Sequence, residues 1–129
     1  MNIKRTERGW GGHFICASRC LFRRNTLIEW GRIKIVISTV GNMEPPEPAP
    51  KIKGLDMRLI GGLNRYHETM AFRAKKEGIY WDADVSKQIH FDSPWAVREL
   101  NATSDQTAND MHEAVVAEIM ERIRKGEKI

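Results

Sequence analysis

The sequence predicts an α+β domain, an antiparallel β-sheet of about four to six strands packed by one long C-terminal helix. Three observations predict it. Apolar residues recur at Ala108, Met111, Val115, Ile119 and Ile123, the period of one helical face. Ile33, Ile35 and Ile37 alternate with Lys34, Val36 and Ser38, the period of a strand. Two runs, Tyr66 to Lys75 and Ile79 to Val85, flank Glu77-Gly78, which reads as a hairpin turn.

The 129 residues suit a single domain spanning 1–129, with a basic N-terminal arm over residues 1–12 and a Pro-rich loop over residues 41–53. The arm ends in Gly9-Trp10-Gly11-Gly12, a turn. Short strands are expected at His13 to Cys16 and at Leu21 to Arg24. Thr26 to Glu29 and Ile33 to Val40 flank Trp30-Gly31-Arg32, a second hairpin signal. Four of the five prolines fall between Pro45 and Pro50, where missing donors forbid a central strand and ring clashes forbid a helix. Tyr66 to Lys75 also fits a helix, but the turn at Glu77-Gly78 favours a strand. Ile89-His90-Phe91 reads as a further short strand. Pro94 suits the first position of a short helix through Leu100. In the last helix Thr107 is placed to cap, Arg122, Arg124 and Lys125 complement the negative end of the dipole, and Gly126 stops it.

Composition narrows the class. Hydrophobic residues are 41% and charged residues 29%, mixed in sign, which excludes wholesale disorder. No apolar run approaches the ~20 residues of a membrane-spanning helix. The N-terminus has no apolar core of a secretory signal. Cys16 and Cys20 are too few for a disulfide framework. A cytoplasmic protein with reduced thiols is expected. Charge is graded along the chain. Residues 1–40 hold eight Lys/Arg against two Asp/Glu, a net of +6, and residues 81–129 hold six against ten, a net of −4. Such a gradient suggests a basic contact surface contributed by the first strands.

Candidate chemistry is sparse. His13-x2-Cys16-x3-Cys20 resembles three zinc ligands, which His67, His90 or His112 could complete. The spacing lacks a second Cys pair, and Cys16 falls within an apolar run, so a buried thiol is the plainer reading. Asp82 and Asp84 share a strand face and, with His90 and Asp92, could hold a metal for hydrolysis. A solvated face explains them equally. Nucleophile elbow, Walker loop, Rossmann glycines, HExxH and kinase signatures are all missing from the sequence. The expectation is a binding protein, not an enzyme, with no cofactor and no metal. Arg5, Arg8, Arg19, Arg23 and Arg24, interleaved with Trp10 and Trp30, combine the arginines and aromatics of a protein hot spot or a nucleic-acid groove.

Several runs carry a resemblance, among them Gly9-Trp10-Gly11-Gly12-His13-Phe14-Ile15-Cys16-Ala17, Cys20-Leu21-Phe22-Arg23-Arg24-Asn25-Thr26-Leu27 and Tyr80-Trp81-Asp82-Ala83-Asp84-Val85. So do Val36 to Gly41, Tyr66 to Phe72 and Ala108 to Val116. Together they resemble small hypothetical proteins of tailed bacteriophages and prophages, over nearly the whole chain. The resemblance implies no catalytic residues. It implies an accessory protein that binds a host machine. The leading expectation is an inhibitor of a host defence complex, anti-CRISPR-like, whose partner is a protein or ribonucleoprotein. Arg5, Arg8, Arg19, Arg23 and Arg24 would pair with acidic groups, and Trp10 and Trp30 would anchor. The alternatives are a nucleic-acid-binding factor in phage replication or transcription, a metal-dependent hydrolase, and a protein that sequesters a small nucleotide.

Overall fold

A computed structural model describes residues 2–8, 12–13, 17–43, 58–60, 65–98 and 105–129. The strands are β1 (Lys4–Glu7), β2 (Cys20–Trp30), β3 (Ile33–Met43), β4 (His67–Glu77), β5 (Tyr80–Ile89) and β6 (Ala96–Val97). The helix α1 (Asp105–Arg124) follows, and a single 3-10 turn, Ala17–Arg19, precedes β2. The strands form one antiparallel sheet in the order β1-β2-β3-β4-β5, with β6 added beside β4. The α+β prediction is therefore met.

Two hairpins follow from glycine placement. Trp30 pairs with Ile33 and Glu77 with Tyr80, so each loop has two residues. Each begins with a glycine at positive φ, Gly31 at 56° and Gly78 at 60°. Glycine first with φ above zero is the tight turn whose twist suits the flanking strands.

Alternation then assigns the faces. Ile28, Ile35, Ile37, Ala71 and Ile89 meet Val115, Val116, Ile119 and Ile123 of α1 in the main core. Burying each isoleucine or valine among them contributes about 1.5–3 kcal/mol. On the opposite face Leu27, Val36, Val40 and Phe72 are buried too. Ala17, Cys20, Val40 and Ile60 form a second, smaller core there. The sheet is also strongly coiled. Lys34 of β3 lies 5.6 Å from the Trp81 ring of β5, although β4 separates those strands. Arg8, just past β1, lies 5.1 Å from the Tyr80 ring of β5. In a flat sheet β1 and β5 would be about 19 Å apart, since neighbouring strands are ~4.8 Å apart.

Several local expectations need correction. Part of the N-terminal arm is edge strand β1, because Lys4 to Glu7 pair with Glu29 to Thr26. The expected strand Leu21 to Arg24 and the run Thr26 to Glu29 are one continuous strand, bridged by the buried Asn25. β3 runs on through Met43, into the segment read as the start of the Pro-rich loop, while residues 44–53 lie outside the described residues. His90-Phe91 falls beyond β5. In place of a helix from Pro94, Ala96–Val97 adds to the sheet, because β4 still offers unpaired backbone at His67 and Glu68. Positions 99–100 lie outside the described residues. Helix α1 begins at Asp105, so Thr107 sits inside its first turn and does not cap it. The expected strand His13 to Cys16 falls largely outside the described residues.

Candidate functional site

The register of β1 on β2 places Arg5 and Glu7 on the same face as Arg24 and Thr26. That face carries α1. Arg5 makes two bonds to Glu113, Nη1 to Oε2 at 2.8 Å and Nη2 to Oε1 at 2.6 Å. Arg24 donates to Glu7 at 3.1 and 3.0 Å and to Glu113 at 2.7 Å. Arg24 also donates to Asn109 at 3.3 Å. Two guanidinium groups and two carboxylates thus close a four-membered charge network between sheet and helix. The arginine hydrogen bonds hold the Glu113 carboxyl down to about 2. Burial opposes charge on Glu7, but hydrogen bonds from Arg24 and Thr26 outweigh it and lower its pKa.

A buried polar chain leads inward from Glu7. The Thr26 hydroxyl donates to Glu7 Oε1 at 2.8 Å. Its single proton is then committed, so at 2.7 Å from His112 Nε2 it must accept. His112 is fully buried, and burial with the nearby charge of Arg24 drives its pKa down to about 4. The neutral ring with Nε2–H has Nδ1 as an acceptor. Nδ1 lies 2.8 Å from the Thr39 hydroxyl, which therefore donates to it. Thr39 in turn accepts from Thr69 at 2.6 Å. Every hydrogen bond from Thr69 to Glu7 points the same way, toward the carboxylate that the arginines neutralise.

This arrangement revises the expected contact surface. Arg5 and Arg24 are paired with Glu7 and Glu113 in a network on the protein surface, so neither is the uncompensated cation expected from sequence. Trp30 is partly buried against the main core, because β2 alternation turns it toward α1, so it is not an exposed anchor. Arg8 is half-buried and stacks on Tyr80. Arg19 is half-buried and engaged, and Arg23 is exposed on the face opposite Arg24. Trp10 lies outside the described residues.

A different basic and aromatic surface gathers around the β4–β5 hairpin. Ile79 is 98% exposed and Tyr80 52% exposed. Arg8 lies on the Tyr80 ring, Lys34 on the Trp81 ring, and Lys75 and Lys76 stand across the hairpin from Asp82 and Trp81. Lys34 is partnered by Glu29 at 3.4 Å and Lys75 by Glu77 at 3.3 Å. Lys76 is exposed and has no ion pair among the described residues. Sequence reasoning missed this surface because its parts lie far apart in the chain and the coiling of the sheet unites them. The apolar tip was visible as Ile79, but in the sequence Ile79 reads as the first apolar residue of the strand Ile79 to Val85.

Compared with known proteins, the chain matches no family model, no curated protein and no solved structure. The remaining sequence candidates are placed by geometry alone. His13 Nε2 lies 2.8 Å from Oε1 of the buried Glu68, which also pairs with Arg65. Cys20 is a buried free thiol, and Cys16 lies outside the described residues. Asp82 accepts from the Ala83 backbone at 2.8 Å. Asp84 accepts from the Ser86 hydroxyl at 2.6 Å, which lowers its pKa. Among the described residues no three His, Cys, Asp or Glu groups gather as a metal site. No helix among them is long and apolar enough to cross a membrane.

Proposed function

We propose that this protein is a phage-type accessory protein that binds and inhibits a host defence complex, anti-CRISPR-like in mode. Docking uses the β4–β5 hairpin. The observation that carries the reading is Ile79, an isoleucine almost wholly in water at the tip of the β4–β5 hairpin, next to the exposed Tyr80 and close to Lys76, which is exposed and has no ion pair among the described residues. An apolar and aromatic centre rimmed by cations fits an acidic, partly apolar face on a partner. Binding is stoichiometric and the protein performs no chemistry of its own.

The test is phage plating on a host with an active defence, with and without this protein. Expression of the native chain should raise plating, and Ile79→Asp or Lys76→Glu should return it to the defended level. Purified protein should capture the defence complex from nuclease-treated lysate, and these variants should not. Capture that disappears with nuclease favours the nucleic-acid-binding reading. Variants that inhibit as well as the native chain would remove the hairpin end from the mechanism.

A further inference from the structure

Strand β4 changes partner along its outer edge. Ala71 pairs with Ile89 of β5, and Glu68 pairs with Ala96 of β6. Only Thr69 and Met70 separate those two positions on β4, whereas His90 to Trp95 must span the same distance between the partners. The longer segment bows away from the sheet. It leaves a cavity of about 260 Å³ lined by Thr69, Met70, Gln88, His90, Phe91 and Trp95.

The walls of this cavity have definite chemistry. Trp95 keeps 46% of its surface exposed, yet it is fixed on two sides. Its carbonyl accepts from the Thr69 N–H at 2.7 Å. Its ring lies 4.6 Å from the Arg65 guanidinium, and Arg65 is itself ion-paired to the buried Glu68. A rigid indole facing water is a stacking platform for a flat ring. Phe91 and Met70, both half-buried, supply apolar contact. Gln88 offers an amide donor and acceptor together, the pair that matches a base edge. The volume falls just below the ~300–1,000 Å³ of sites for drug-sized ligands, so one ring system fills it.

We infer that this cavity binds a single nucleobase, stacked on Trp95 and read at its edge by Gln88. The base is either that of a free nucleotide or one base of a single strand. The site is separate from the hairpin end and stands or falls independently of it.

Isothermal calorimetry tests it with adenosine monophosphate and with a short single-stranded oligoadenylate. The native protein should bind one or both. Trp95→Ala should weaken binding at least about tenfold, the usual loss for one base–aromatic stack. Gln88 is exposed, so Gln88→Ala keeps the fold and should also weaken binding, which covers the case in which Trp95→Ala fails to fold. Equal affinity for nucleotide and strand assigns a free nucleotide, and binding of the strand alone assigns a base within single-stranded nucleic acid. No heat with either probe at millimolar concentration, or binding unchanged in Gln88→Ala and in folded Trp95→Ala, would overturn the inference.

Discussion

Arg5 and Glu113 stand 108 positions apart in the chain, yet they meet through two short hydrogen bonds, at 2.8 and 2.6 Å. The contact joins the first strand to the last helix. Arg24 and Glu7 complete the ring, so β1, β2 and α1 are tied at one corner.

Removing this tie should cost modest stability and change the acid response. The side chains are one-third to one-half exposed, so Glu113→Gln should lower stability by only about 1 kcal/mol at neutral pH. Glu113 has its pKa lowered from 4.5 to about 2. Its contribution is therefore present above pH 4.5 and lost as pH falls toward 2. Urea midpoints measured across that window should fall more steeply for the native chain than for Glu113→Gln.

His112 acts in a second, higher window. Its pKa falls from 6.5 to about 4 in the fold, so the unfolded chain takes up the proton first. Stability should be complete above pH 6.5 and decline down to about pH 4, by up to about 3 kcal/mol. Arg24 and Arg5 disfavour the imidazolium, while Glu7 and Glu113 oppose them. His112→Asn should be less stable at pH 7 but flatter with pH across this window, as read by thermal unfolding.

The direction of the buried chain makes a finer prediction. Thr39 donates to His112 and accepts from Thr69, so it serves two bonds. Thr39→Val leaves Nδ1 of a buried ring without its donor, at a cost of about 1–3 kcal/mol. Thr69→Val removes only the outermost donor and should cost about half as much. Equal losses in chemical denaturation would contradict the assigned proton positions.

The legible parts of this fold were those set by local period. The helix spacing from Ala108 to Ile123 and the alternation through Ile33 to Ile37 specify elements without reference to neighbours, and both reappear as core. Gly31 and Gly78 marked the hairpins for the same local reason. The fate of the arginines was not legible. Whether Arg24 meets water or Glu113 depends on pairing β1 with β2 and docking a helix encoded some ninety residues later. The coil that brings Arg8 to Tyr80 is equally non-local. Polar residues in the core, Thr26, Thr39, Thr69 and His112, carried no sequence signal, because each is tolerable inside only when the other three are present.

Gly41 is required by close approach, not by its backbone angles. A methyl group there would overlap Tyr66 O and lie 2.7 Å from His67 Cα. Backbone cannot yield as a side-chain tip can. Gly41→Ala should destabilise by about 3 kcal/mol or more, as overpacking against main chain does. Differential scanning calorimetry would show a lower midpoint, or no cooperative transition at all.

The two hairpin tips separate folding from recognition. Nothing lies within 4 Å of a methyl group added at Gly31 or Gly78, so space is no obstacle. Both have positive φ, however, which costs an L-residue about 1–2 kcal/mol. Gly78→Ala should therefore lower the melting midpoint while leaving the neighbouring side chains in place. Ile79→Asp should do the reverse. With 98% of its surface in water, Ile79 contributes almost nothing to the core, and replacing it should shift stability by less than about 0.5 kcal/mol. The same substitution should abolish partner capture, because it places a carboxylate among the cations of the hairpin, Arg8 and Lys76. A melting curve and a capture experiment on the two variants decide the matter together. Loss of stability in Ile79→Asp would mean that the isoleucine is packed rather than presented.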